Sequence, residues 1–126
     1  MLQRGLFVDG LWYGVISENL ANGLGSSWKP VFTYTMFYPF YEHPPLVFWV
    51  QSLFFKIFGS GLYTEKIYAL VIFVLNVFLI KKVWQEVFYH NKELQRFWII
   101  PVLLWFLNEN TYLMYANNLL ECTQVL

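Results

Sequence analysis

Charge is scarce in this sequence. Only 13% of its 126 residues are charged, about half the share usual in soluble domains. That supply is too small to coat a sphere of this size. The eight basic and eight acidic side chains also cancel, so no field of one sign points to nucleic acid or to an acidic partner. Cys122 stands alone, which excludes an internal disulfide. Gln3, Arg4 and Gly5 follow Met1 with no apolar core segment, so no secretory signal is expected. Internal repeats and low-complexity tracts are lacking as well.

What is present is grease. The chain is 58% hydrophobic and 22% aromatic, too apolar for a disordered segment. The expected class is a membrane protein or part of one. A soluble helical domain with an unusually apolar core is the alternative that extraction by carbonate or high salt would favour.

Helical spacing of Leu11, Trp12, Val15, Ile16 and Leu20 predicts an amphipathic helix over 9–25. Asp9 is placed as its N-cap and Gly23 as its stop. It is too short to span and is expected to lie in the membrane interface. Residues 24–43 read as a loop whose aromatics, among them Trp28, Phe37 and Tyr41, suit the headgroup level. Pro44 and Pro45 open a second helix that ends at Gly59, since proline is tolerated where helical N–H groups have no partner anyway.

The best span is 62–88, centred on IYALVIFVLNVFLI. A connection over 89–96 follows, then FWIIPVLLWFL as a second span within 97–126, with a further helix expected near Asn117–Asn118. Lys81, Lys82, Lys92 and Arg96 supply four of the eight basic residues and flank that connection, so the positive-inside rule makes it cytoplasmic. Asp9, Glu42, His43 and Glu121 then share the opposite side. A carboxylate at an apolar helix end suits general base chemistry, and two acids with an imidazole suit a divalent cation. Spacing alone does not choose between these roles. Asn76 is expected to bond between helices, and Cys122 to be a small buried residue.

Four blocks narrow the reading: FVDGLWY, NLANGLGSSWKP, EHPPLVFWVQSLFFKIFG and NNLLECT. Their order and spacing resemble the opening of GT-C type membrane glycosyltransferases. The closest likeness is to the family 39-like branch, which holds protein-mannosyltransferases and aminoarabinose transferases. The likeness covers nearly all of this chain but only the first part of a family member, so the chain is expected to be an N-terminal fragment, inactive alone.

The resemblance implies an all-α, polytopic membrane fold: two interfacial helices within a first extracytoplasmic loop, 9–61, and two to three transmembrane helices. It implies sugar transfer from a polyprenyl-phosphate donor to a lipid, glycan or protein acceptor, in the bacterial plasma (inner) membrane, on the extracytoplasmic face. Asp9 matches the catalytic base or acceptor-positioning acid, and Glu121 a second acid. Glu42 matches an acid linked to metal binding. His43 stands where the family often has a lysine for the lipid phosphate. Trp12 and Tyr13 are counted with the donor-binding residues, although packing is the commoner role of such aromatics. The competing reading is a non-catalytic small membrane protein that binds a partner through its aromatic loop.

Overall fold

The computed structural model of the protein describes residues 8–35, 38–43, 45–119 and 121–124. Phe37 and Pro44, both singled out above, lie outside the described residues. The described chain is mostly helical, in the order α1 (Val8–Ala21), β1 (Gly25–Ser26), β2 (Lys29–Pro30), α2 (Leu46–Phe58), α3 (Leu62–Val87), α4 (Lys92–Gln95), α5 (Ile99–Phe106), α6 (Glu109–Asn117) and α7 (Glu121–Gln124).

α1 stops where expected. Gly23, at φ +79°, lets Leu24 N–H reach the Asn19 carbonyl at 2.8 Å and Gly23 N–H reach that of Leu20 at 3.2 Å. This is the paired-bond ending that glycine favours. Its start differs from expectation. Asp9 is inside the first turn, not at the cap, where its charge still complements the helix dipole.

The buried stripe of α1 differs too. Gly10, Tyr13, Gly14, Ile16 and Ser17 face inward, while Leu11 and Val15 of the expected apolar stripe are exposed. Small residues admit close helix approach, and the larger apolar side chains are left outside. Ser17 is fully buried and donates to Gln51 Oε1 of α2 at 3.0 Å. Gly14 lies so close to Glu65 of α3 that an added Cβ would run into its carboxylate.

The expected loop over 24–43 contains a minimal antiparallel hairpin, with Gly25 opposite Pro30 and Ser26 opposite Lys29. Asn19 Nδ2 ties it to α1 through the carbonyls of Val31 and Phe32, at 2.9 and 3.0 Å. Phe40 N–H donates to the Pro30 carbonyl at 3.0 Å. α2 then begins after Pro45 and ends at Gly59, in agreement with its sequence signals.

α3 has 26 residues, so it is about 39 Å long. It is long and apolar enough to cross a membrane and, among the described residues, the one helix that is. Its buried residues are Thr64, Glu65, Tyr68, Ala69, Ile72 and Asn76. Leu70, Val74, Leu75, Phe78 and Val83 are exposed. This is the reverse of a soluble amphipathic helix.

The second apolar run is not one continuous helix. Asn108 caps α6 by accepting from Asn110 N–H at 2.9 Å, so a new helix begins just after α5 ends. The two pieces nonetheless return alongside α3. Lys81 Nζ lies 4.8 Å from the Trp98 ring centroid. Trp105 stacks on Phe73 at 5.5 Å, and Lys66 Nζ donates to the Ala116 carbonyl at 2.5 Å. The further helix expected near Asn117 begins later. Asn117 closes α6, Asn118 is left-handed at φ 56°, and α7 starts at Glu121.

Candidate active site

The returning pair carries α7 back against α3, and three polar bonds fix α6 and α7 there. Asn76 Nδ2 donates to Tyr115 Oη at 2.6 Å and to the Cys122 carbonyl at 3.0 Å. Tyr68 Oη and Thr123 Oγ1 are 2.5 Å apart. Asn76 is thus an interhelical bonding residue, as expected, and Cys122 is buried. Glu121, the exposed first residue of α7, is positioned by these neighbours.

Tyr13 stands at the centre of the predicted residues. It is buried in a cluster with Ile16, Phe40, Val47 and Phe48. Its Oη lies 3.2 Å from His43 Nε2. The two rings meet edge to face at 5.4 Å, and Phe40 lies 5.8 Å from the imidazole on another side. Burial pushes the Tyr13 phenol up to about 12, and the negative charges of Asp9, Glu121 and Glu42 add to the effect. These three acids, from α1, the segment before α2, and α7, all act electrostatically on one phenol.

Glu42 is exposed and His43 half-buried. Both line a cleft of about 430 Å³ that also has Trp28, Phe40, Tyr41 and Pro45 in its walls. Trp49 Nε1 donates to the Ser27 carbonyl at 2.8 Å, and Trp28 meets Trp49 edge to face at 5.2 Å. Those contacts hold the hairpin against α2 and so shape the cleft. Trp12 is not among the residues that line this cleft. Its ring packs on Phe32 at 5.3 Å.

No protein family model, curated protein or solved structure matches this chain. Among the described residues, no group of three or more His, Cys, Asp and Glu side chains is placed to hold a metal ion.

Sequence reasoning missed two residues at this end. Glu65 is buried with Oε2 unpartnered, and Gln51 is buried with Nε2 unpartnered. Both acquire meaning only from packing against α1. Gln51 was visible as a polar break in an apolar helix, and Glu65 as an acid at the start of the best span. Neither signal said that the side chain faces inward.

Proposed function

We propose that this chain forms the donor-binding end of a polytopic GT-C type membrane glycosyltransferase, which uses a polyprenyl-phosphate sugar on the extracytoplasmic face. The supporting observation is the Tyr13–His43 contact beside the cleft that Glu42 and His43 line, with the charges of Asp9, Glu42 and Glu121 acting on the same phenol. In this reading α3 crosses the bilayer and α5 with α6 forms a broken return segment.

In this reading the protonated phenol of Tyr13 is the donor to His43 Nε2. The imidazole proton then resides on Nδ1. That N–H donates to an oxygen of the lipid phosphate. A neutral imidazole binds phosphate more weakly than a lysine ammonium, and oriented placement offsets part of the difference.

Transfer proceeds by inversion. The acceptor hydroxyl oxygen attacks the anomeric carbon while the bond from that carbon to the phosphate oxygen breaks. The hydroxyl proton passes to the Asp9 carboxylate, and the polyprenyl phosphate leaves with the electron pair. Glu121 orients the acceptor. Glu42 and the aromatic wall at Trp28 and Tyr41 face the sugar.

The test is a titration of the detergent-solubilised chain with a synthetic polyprenyl phosphate, read by tryptophan fluorescence. Saturable binding that His43→Ala weakens at least tenfold supports the reading. Binding that ignores His43→Ala and Tyr13→Phe would sink it. Trp28, Tyr34, Tyr38 and Tyr41 are strongly exposed, so that second outcome would favour a partner-binding aromatic loop instead.

A further inference from the structure

The other end of α3 carries a second polar cleft. Its volume is about 530 Å³, and Lys81, Gln85, Lys92, Gln95, Arg96 and Trp98 line it. The lining holds cations and amides but no carboxylate. Glu86 and Glu93, the acids of this region, are exposed and outside the lining.

This cleft is built by defined bonds. Trp84 Nε1 donates to the Leu94 carbonyl at 2.9 Å, and Gln95 Nε2 donates to the Gln85 carbonyl at 2.8 Å. Asn91 caps α4 by accepting from Leu94 N–H at 3.2 Å. Lys81 is held over the Trp98 ring, and Lys92 lies 5.3 Å from that of Tyr89. The connection after α3 is thereby folded back, and its cations converge.

An apolar cleft of about 480 Å³ lies on the same half of α3, with Leu79, Ile80, Val83, Trp84 and Pro101 in its lining. A ligand that satisfies both clefts needs a phosphate-bearing head and hydrocarbon chains. The location, at the end of a helix long enough to cross a bilayer, puts the polar cleft at headgroup level. Basic pockets at such levels take anionic lipid heads.

We propose that Lys81, Lys92 and Arg96 form a binding site for the phosphodiester head of an anionic phospholipid, on the side of the membrane opposite the Tyr13–His43 pair. The proposal rests on α3 crossing the membrane and is independent of glycosyl transfer. One cation near a surface of this kind strengthens binding about fivefold, so the group sets a clear preference for anionic over zwitterionic lipid.

The test is native mass spectrometry of the full chain in detergent, with phosphatidylglycerol and phosphatidylcholine of equal chain length. Retention of the anionic lipid at least tenfold over the zwitterionic one is expected. K81Q/K92Q/R96Q is expected to bring that ratio close to one. Lys92 and Arg96 are exposed, so K92Q/R96Q leaves packing intact and is expected to lower the ratio several-fold by itself. Equal retention of both lipids, or a ratio untouched by either variant, overturns the proposal. Flotation with pure phosphatidylcholine vesicles separates the two claims. A chain that fails to float refutes the span and the site together. One that floats but shows no lipid preference refutes the site alone.

Discussion

The two halves of α3 are built differently. Every buried residue of the helix lies between Thr64 and Asn76. That half is enclosed by α1, α2, α6 and α7 and bonded through Lys66, Tyr68 and Asn76. From Val77 to Val87 no residue is buried, and Phe78, Leu79, Val83 and Val87 are exposed. The first half buys its order with polar contacts that an apolar helix has no intrinsic reason to make. The second half exposes side chains that water would penalise. Polar residues inward and apolar residues outward is the arrangement that hydrocarbon solvent rewards.

The largest expected effect lies at the boundary of the halves. Asn76→Leu keeps the number of side-chain heavy atoms but strands Tyr115 Oη and the Cys122 carbonyl. The expected loss is about 2–3 kcal/mol of stability, read as a lower thermal midpoint in detergent. Proteolysis is expected to cut first near α7, because that helix depends on the bond. A variant as stable as the parent would mean that α7 is held by its other contacts.

Gly14→Ala comes next. The new Cβ meets the Glu65 carboxylate, and crowding of this kind costs about 1–3 kcal/mol. Glu65→Ala removes the obstacle, so a double-mutant cycle is expected to show coupling of about 1–2 kcal/mol. Additive effects would show that α1 and α3 separate more easily than their packing implies.

Alkaline pH probes the same end. Burial lifts Cys122 from its ordinary 9.0 to about 12, and Tyr13 from 10.0 to about 12. Both pKa values are higher in the folded chain, so the folded state holds its protons longer than the unfolded one. Their contribution to stability is complete below about pH 9 and falls as pH rises toward 12. Thermal midpoints measured from pH 8 to 12 are expected to decline, less steeply in Tyr13→Phe and Cys122→Ala. A maleimide probe is expected to label Cys122 slowly at pH 8 in the folded chain and quickly after unfolding.

The helices at the ends of this story were legible in the sequence. The proline-led start of α2, Gly23, Gly59 and the long apolar run over α3 each carry a local signal. Less legible was which side of α1 faces inward, because an apolar stripe on an interfacial helix does not say whether lipid or protein covers it, and Gly10, Gly14 and Ser17 carry no hydrophobic signal. The break between α5 and α6 was written in Asn108, a good N-cap inside an apolar stretch, but an apolar run invites continuity. The candidate site was legible only as a set of types, Asp9, Glu42, His43 and Glu121. The contact between Tyr13 and His43 was not, because it joins α1 to the segment before α2 across a stretch that no local pattern encodes.

The smallest expected effect tests the exposed half of α3. Val83 is 61% exposed, so Val83→Ala removes methyl groups that touch little protein. The expected change in stability in detergent is under about 0.5 kcal/mol. That near-silence is informative beside Asn76→Leu, since the two positions lie two turns apart on one helix. If Val83→Ala instead destabilises by more than about 1 kcal/mol, the exposed half is packed against protein, and a second copy or another segment covers it. Concentration dependence of the midpoint would then decide between these, because only a second copy binds by mass action. A silent Val83→Ala leaves lipid as the natural neighbour of this surface, and the contrast between the halves becomes one of solvent.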